Sequence, residues 1–248
     1  MVEFTERALV LKVGRFREQD LWVRLFSPTR GVYTAFAFGG CRSRRRFCGC
    51  LDALNQVRFH VKSDRRGAYL YLLEGTLDEA YPRIRADRER LGQAVNCLKF
   101  FEAVHLGPDG AAEGYGLITE CLGVLDRAER VGGLFPVLFR AKVAFSQGYA
   151  PSLTACSHCG KGIHSGSLPR LDVERGRVVC AACAGSAPGL DLCCEALDLL
   201  ERVRRGGPED WRDIRPGAEV RRQCYAAVDH YVRFHLGLAW SGGSFRKL

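Results

Sequence analysis

The hydrophobic pattern changes its period once along this 248-residue chain, and that change limits the folds the chain can adopt. Up to Ala80, apolar and polar residues alternate in short runs, which is typical of half-buried β-strands. After Tyr81 and Pro82 the apolar residues recur every three or four positions, as in amphipathic helices. The sequence therefore predicts an α+β protein, with a β-domain at residues 1–80 followed by helices.

The predicted β-domain contains five runs with strand character, separated by turn residues such as those of SPTRG and KSDRRG. The runs are 8–13, 21–26, 32–38, 57–62 and 68–75. Five short strands fit a small closed β-barrel, of which the OB-fold is a common nucleic-acid-binding example. An SH3-like barrel would give nearly the same pattern, because periodicity does not determine the order of the strands.

The second part of the chain is predicted to be a helical domain that is interrupted once. Apolar stripes with helical spacing assign residues 81–153 and 188–248 to this domain. Between them, residues 154–187 are rich in Gly and Ser and poor in apolar residues. An insert of this size and composition cannot bury a useful core alone, so its fold needs another source of stability.

Two C-x2-C pairs in the insert indicate that a bound metal ion stabilises its fold. Cys156 pairs with Cys159 and Cys180 with Cys183, and the segment 160–179 separates the two pairs. Each pair lets two thiolates converge on one ion, and two pairs complete a tetrahedral shell. We therefore expect one structural Zn²⁺ held by the four thiolates.

Other uses of these residues fit the sequence less well. His158 and His164 are alternative zinc ligands, but four cysteines already fill a tetrahedral shell. A zinc deaminase needs an H-x-E signature, and His158 is followed by Cys159 and Gly160. A zinc hydrolase needs an open coordination position with a nearby base, and no candidate base stands out. A redox C-x-x-C needs a thioredoxin-like βαβ setting, which the pattern lacks.

A basic loop lies between two of the predicted strands. Residues 39–50 read GGCRSRRRFCGC, with glycines on both sides of the arginines. The chain has a net charge of +9, and the β-domain at 1–80 holds 14 Lys and Arg against 9 Asp and Glu. Arginine suits bidentate phosphate contacts, and cations in a loop can follow a phosphate backbone with little sequence preference.

The sequence therefore predicts a nucleic-acid-binding surface on the barrel, with further cations from neighbouring turns. Phe47 is expected to offer a stacking face to a base. The candidate residues are Arg42, Arg44, Arg45, Arg46, Arg15, Arg17, Lys62, Arg65, Arg66 and Phe47. The alternative is a zinc-containing interaction scaffold in which the basic loop is incidental and has no direct DNA role.

The sequence also predicts where the protein acts. No apolar run approaches the ~20 residues of a membrane span. The start, MVEFTERALV, lacks the features of a signal peptide, so we expect a cytoplasmic protein without a membrane role. The chain contains no GxxxxGK[ST] loop, so nucleotide hydrolysis is not expected.

The order and spacing of these parts resemble the RecO family of bacterial recombination mediators. The similarity lies in ALVLKVGRFREQDLWVRLFSPTRG, GGCRSRRRFCGCLDAL, the CSHCG and VVCAAC pairs, and YVRFHLG at 231–237. It implies an N-terminal OB-fold, a helical domain and a four-cysteine zinc insert. It also implies a DNA repair and recombination protein that is not an enzyme.

The resemblance implies partners as well. Such proteins bind single- and double-stranded DNA and anneal complementary strands. With RecR they help to load RecA onto single strands coated by the single-stranded DNA-binding protein, SSB. In some members the acidic C-terminal tail of SSB docks on the helical domain. A nucleoid-associated location follows from that activity.

Overall fold

The computed structural model describes residues 1–163, 168–185 and 188–248. His164 and the last two residues of the predicted insert, Ser186 and Ala187, lie outside the described residues. The chain divides into two compact units: Met1–Arg88 with His105–Asp126, and Glu89–Val104 with Arg127–Leu248. The first is built around a β-barrel and the second is mainly helical, so the predicted α+β class is confirmed.

Five strands of the first unit close into a barrel with the order β1-β2-β3-β5-β4. They are β1 (Glu3–Arg15), β2 (Leu21–Ser27), β3 (Gly31–Ala37), β4 (Gln56–Ser63) and β5 (Leu70–Glu79). Neighbouring strands are antiparallel except β3 and β5, which pair in parallel at Phe36 and Tyr71. The predicted five-stranded OB-like barrel is therefore confirmed, with β1 starting and β5 ending a few residues beyond the predicted runs.

The barrel core is formed by the inward residues of all five strands together with two residues of the β3–β4 connection. Its buried members are Ala8, Val10, Val23, Leu25, Ala35, Ala37, Phe47, Cys50, Val57, Phe59, Val61 and Leu72. Strand alternation places one side of each strand inside, as expected for a small barrel. Since Phe47 and Cys50 come from the connection, that segment folds back onto the core instead of extending into solvent.

Two helices belong to the same compact unit as the barrel. These are α1 (Pro82–Ala86) and α3 (Pro108–Arg127). The Asp126 carboxylate accepts the backbone N–H groups of Arg83 and Ile84 at 2.8 and 3.0 Å, which satisfies donors at the start of α1. The ring of Tyr115 lies 5.9 Å from that of Phe26 on β2. The compact units therefore differ from the predicted division after Ala80.

The second unit contains the other helices and a short C-terminal hairpin. The helices are α2 (Arg88–Val104), α4 (Phe135–Ala144), α5 (Ala181–Ala184), α6 (Cys194–Arg205), α7 (Pro208–Trp211) and α8 (Ala218–Leu236). Strands β9 (Leu238–Ser241) and β10 (Ser244–Lys247) form the hairpin, which the hydrophobic pattern did not indicate. Its Phe245 ring packs 5.0 Å from Phe100 of α2.

Two strands of the cysteine-containing insert form a three-stranded sheet with a short strand that follows it, in the order β7-β6-β8. The strands are β6 (Arg170–Asp172), β7 (Arg177–Val179) and β8 (Leu190–Asp191). Leu171 and Val178 are buried, and His235 Nε2 of α8 lies 2.8 Å from the Val173 carbonyl oxygen. The insert thus adds apolar side chains to the core of the helical unit, beyond what its composition indicated. Within the described ranges, no helix combines the length and the apolar character needed to cross a membrane.

Candidate nucleic-acid interface and metal centre

The four cysteines of the insert converge on one point. The Sγ atoms of Cys156, Cys159, Cys180 and Cys183 all lie within 4.8 Å of one another. Tetrahedral Zn²⁺ with Zn–S bonds of ~2.3 Å requires sulfur atoms about 3.8 Å apart. The separation of 3.9 Å between Cys159 Sγ and Cys180 Sγ agrees with that value. The donor set and its spacing therefore fit a single zinc ion.

Local backbone geometry explains why each pair converges. Gly160 adopts a φ of +72°, and its N–H donates to the Cys156 carbonyl oxygen at 2.9 Å, which closes a tight turn under the first pair. The second pair lies at the start of α5, where the Cys183 N–H donates to the Cys180 carbonyl oxygen at 2.9 Å. The Ser157 N–H donates to the carbonyl oxygen of Val178 on β7, which joins the two turns.

The thiols of this cluster differ in acidity. The backbone N–H of Cys180 hydrogen-bonds to Cys156 Sγ and, against the opposing effect of burial, helps to lower the pKa of Cys156 to about 6. Hydrogen bonding with the Cys180 side chain raises the pKa of Cys183 to about 12. Four thiolates this close together repel one another, so a bound cation is needed to hold all of them deprotonated.

Three basic segments lie together beside the ends of β1, β3 and β4. Cys41 N–H donates to the Gln19 carbonyl oxygen at 3.1 Å, and Gly39 N–H donates to the Asp20 carboxylate at 2.8 Å. These bonds join the start of the β3–β4 connection to the β1–β2 turn. The third segment is the β4–β5 turn, where the Tyr69 ring lies 6.3 Å from that of Phe36 on β3. We call the arginines of the three segments the basic rim: Arg15, Arg17, Arg42, Arg44, Arg45, Arg46, Arg65 and Arg66, all exposed.

The cations of the β3–β4 connection have different roles. Among the described residues, Arg42, Arg44 and Arg45 form no ion pair. Arg46 instead donates from Nη2 to the Phe38 carbonyl oxygen at 2.6 Å and from Nη1 to the Leu73 carbonyl oxygen at 3.4 Å. It therefore helps to fasten the connection to the barrel, while its charge stays unpaired because both acceptors are neutral.

Lys62 is paired within the barrel. Its Nζ lies 2.9 Å from a carboxylate oxygen of Glu3 on the neighbouring strand. The hydrogen bond and charge of Lys62 lower the pKa of Glu3. Lys62 thus differs from the unpaired arginines, since a phosphate would have to displace this carboxylate to bind it.

The prediction that Phe47 offers a stacking face is wrong. The side chain is 4% exposed and belongs to the barrel core. The Arg46 guanidinium covers its ring at 5.1 Å. Phe47 anchors the basic connection from inside, because burying the ring stabilises the fold more than leaving it in solvent.

A different set of aromatic residues, three of them exposed and two half-buried, lies next to the basic rim. We call Phe16, Phe36, Phe38, Tyr69 and Tyr71 the aromatic cluster; together with Arg17 they line an open depression of about 280 Å³. Phe36 and Phe38 alternate with Ala35 and Ala37, which point into the barrel. The alternation of VYTAFAF could have indicated that both rings point away from the core, but only the β3–β5 pairing brings them beside Tyr69 and Tyr71.

Comparison with known proteins identifies the family. Residues 1–78 match the family model described as Recombination protein O N terminal, and residues 85–242 match Recombination protein O C terminal. The chain belongs to the RecO family. A DNA repair protein RecO from Oleidesulfovibrio alaskensis is 48% identical over 248 residues, which is 100% of both chains.

Other RecO proteins are similar over nearly their whole length. The DNA repair protein RecO of Solidesulfovibrio magneticus is 48% identical over 98% of this chain and 99% of its own. That of Anaeromyxobacter dehalogenans is 29% identical over 92% of this chain and 90% of its own. RecO membership confirms the resemblance seen in the sequence and assigns the chain a role in DNA repair and recombination.

Proposed function

We propose that this protein is a non-enzymatic recombination mediator that binds single- and double-stranded DNA through the basic rim and anneals complementary strands. The observation that carries the proposal is the convergence of three basic segments on one side of an OB-like barrel. Loops of such barrels are a common site for oligonucleotides. The arginines there combine a positive charge with a planar set of donors that matches phosphate oxygens.

Annealing would follow from charge alone. Two complementary strands repel each other through their phosphates, and a basic surface that holds both lowers that repulsion while leaving their bases free to pair. Unpaired arginines such as Arg42, Arg44 and Arg45 release bound counterions when they contact phosphates, which makes binding sensitive to salt. No step of this process needs nucleotide hydrolysis.

The cysteine cluster has a structural role in this proposal. Cys156, Cys159, Cys180 and Cys183 would hold one Zn²⁺, which supplies folding free energy to the insert. The insert packs on α8 through Val173 and His235, so the metal would also keep this face of the helical unit in shape.

The proposed partners follow from the family. We expect the protein to act with RecR in loading RecA onto SSB-coated single strands, and the SSB C-terminal tail to dock on the helical unit. A cytoplasmic, nucleoid-associated location is part of the same proposal. The alternative is a zinc-containing scaffold that contacts proteins and not DNA, with the basic rim serving only solubility.

Titration with single-stranded DNA at several salt concentrations tests the role of the rim. The triple variant Arg42→Ala, Arg44→Ala and Arg45→Ala should flatten the log–log salt dependence by roughly two units, because three phosphate contacts are lost. Its matched control is Arg175→Ala, Arg212→Ala and Arg222→Ala. That variant removes the same charge from exposed, ion-paired arginines of the second unit.

The control should leave the slope close to that of the unchanged protein. Equal slopes for both triple variants would remove the basic rim from the DNA-binding site. A protein that binds no oligonucleotide at low salt would favour the scaffold. A strand-annealing assay, with and without SSB, then separates a mediator from a protein that only binds DNA.

A further inference from the structure

We propose that the aromatic cluster is a stacking site for unpaired nucleobases, so that the barrel grips single-stranded DNA by its bases as well as its phosphates. The inference rests on the proposed DNA-binding function. It goes further by naming the part of the ligand that binds and the residues that bind it. Phe16, Phe36, Phe38, Tyr69 and Tyr71 would then contribute a contact that no arginine of the basic rim provides.

The first argument is exposure. Phe16, Phe38 and Tyr69 are 49%, 44% and 56% exposed. Single exposed aromatic residues are common on proteins, but a group of them on one patch marks a surface that binds something. The residues come from three separate chain segments, the β1–β2 turn, the end of β3 and the start of β5. Their convergence is therefore a property of the fold and not of one apolar stretch of sequence.

The second argument is the geometry of the rings. Phe38 and Tyr71 are stacked, with ring centroids 5.4 Å apart and an interplanar angle of 27°. Phe16 lies 5.0 Å from Phe36, which lies 6.3 Å from Tyr69. These two groups border the open depression of about 280 Å³. Planar bases can lie against such rings whatever their sequence, because every base has a π-face.

The third argument is the charge beside the rings. The Arg17 guanidinium lies 5.3 Å from the Phe16 ring centroid, and Arg46 donates to the Phe38 carbonyl oxygen. The Asp20 carboxylate of the same turn already accepts a hydrogen bond from the Gly39 N–H. Cations placed next to aromatic rings suit a polymer that alternates phosphates with bases.

Stacking predicts a preference between DNA forms. In a duplex each base is covered on both faces by its neighbours, so a protein ring can reach it only after unstacking, which costs free energy. A single strand offers bases without that cost. The aromatic cluster should therefore add to the affinity for single strands and leave the affinity for duplex DNA nearly unchanged.

A purely structural role is the competing explanation. The parallel contact between β3 and β5 rests on one residue pair, Phe36 and Tyr71, and aromatic residues across such a seam stabilise a sheet. That role predicts lower thermal stability when a ring is removed and no effect specific to bases. The two explanations therefore differ in what the removal of the most exposed ring changes.

The experiment compares a thymidine oligonucleotide with an oligonucleotide of the same length made of abasic sugars. The unchanged protein should bind the thymidine oligonucleotide more tightly. Tyr69→Ala should weaken thymidine binding by roughly 5- to 100-fold, as expected for one lost stacking contact, and leave abasic binding unchanged. The slope of affinity against salt should stay constant, because no phosphate contact is lost.

Further variants separate the loss of an aromatic face from the loss of apolar volume. Phe38→Leu retains apolar volume without a π-face and should also lose thymidine affinity, whereas Tyr69→Trp should retain it. Tyr225→Ala is the matched control, because Tyr225 is a comparably exposed tyrosine (44%) on α8 of the other unit. It should change neither affinity. A thermal melt of each variant identifies any that are destabilised.

Three outcomes of these binding measurements would contradict the proposal. Equal affinity of the unchanged protein for thymidine and abasic oligonucleotides would overturn the stacking site and leave the proposed DNA binding intact. Parallel losses for both ligands in Tyr69→Ala would assign the ring a structural role instead. A protein that binds neither oligonucleotide at low salt would overturn the proposed function together with this inference.

Discussion

Cys159 Sγ and Cys180 Sγ lie 3.9 Å apart although the residues are 21 positions apart in the sequence. Strands β6 and β7, which lie between them, pair in antiparallel register and bring the two C-x2-C turns together. This arrangement places the thiols where they could bind one tetrahedral ion. A metal bound there would stabilise a sheet that is itself too small to be stable alone.

Removing one of these ligands should remove the metal. We expect one Zn²⁺ per chain in the purified protein and its loss in Cys180→Ser, because three thiolates bind zinc more weakly than four. Elemental analysis of the dialysed protein measures this. The control is Cys41→Ser, which changes an exposed cysteine outside the cluster and should keep the zinc. A metal-free protein that folds and melts like the zinc-loaded form would contradict the structural role.

The sequence predicted those features that repeat or that depend on spacing. Alternation before Tyr81 identified the five strands, and the C-x2-C pairs identified the cluster that the structure assembles. It did not predict which segments come together. The parallel pairing of β3 with β5 is invisible to periodicity, so the aromatic cluster that spans Phe36 and Tyr71 was missed.

Single residues in loops were the least predictable. Phe47 follows three arginines, so its sequence context indicated a ring exposed for stacking, but the ring is buried with Cys50 in the barrel core. Helix α3 was assigned to the helical domain because of its period, whereas it packs with the barrel through Tyr115. Both outcomes depend on the tertiary arrangement, which local patterns do not encode.

Replacing Phe47 should lower the stability of the barrel, because its ring is part of the core. Phe47→Ala leaves a cavity in the barrel core, and such substitutions of buried phenylalanine cost about 3–5 kcal/mol of unfolding free energy. Urea unfolding followed by tryptophan fluorescence, to which Trp22 on β2 contributes, measures it. Phe16→Ala, at an exposed site, should be close to neutral in the same assay. Similar small effects for both variants would contradict the burial of Phe47.

The junction between the insert and α8 depends on a glycine. Gly176 has a φ of +59°, and a Cβ there would lie 2.8 Å from the Tyr231 hydroxyl oxygen. That hydroxyl donates to the Tyr149 carbonyl oxygen at 2.6 Å, so moving away would break a hydrogen bond. Gly176→Ala should therefore lower the unfolding free energy by more than about 1 kcal/mol, measured by urea denaturation.

A second glycine serves as the control, because its replacement by alanine should raise the unfolding free energy instead of lowering it. Gly92 lies on the exposed side of α2, and a Cβ added there would have no described atom within 4 Å apart from its chain neighbours and the backbone of its own helix. Gly92→Ala should stabilise the protein by about 0.5–1 kcal/mol, because alanine loses less backbone entropy in a helix. Destabilisation by both substitutions would show that the close contact at Gly176 is not the cause.

The acidic residue Glu201 on α6 should make a pH-dependent contribution to the unfolding free energy of the helical unit. Its carboxylate accepts hydrogen bonds from Arg204 at 2.6 and 2.7 Å and also pairs with Arg205. The hydrogen bonds from Arg204 lower the pKa of Glu201. Burial of the carboxylate acts in the opposite direction, and Arg205 lowers the pKa further. A lowered folded-state pKa means that the stabilisation is complete above the unfolded value of about 4.3 and is lost as the pH falls through the folded value.

Glu201→Gln should therefore lower the unfolding free energy at pH 7 by about 0.5–1 kcal/mol, a small effect because Arg205 is two-thirds exposed and solvent screens its charge. The difference from the unchanged protein should stay constant between pH 7 and pH 5 and shrink below about pH 4.3. Urea titrations across this range measure it. Glu219→Gln, in the more exposed pair with Arg222, should have a smaller effect. A difference that grows on acidification would mean that the Glu201 carboxylate is held by burial and not by its arginines.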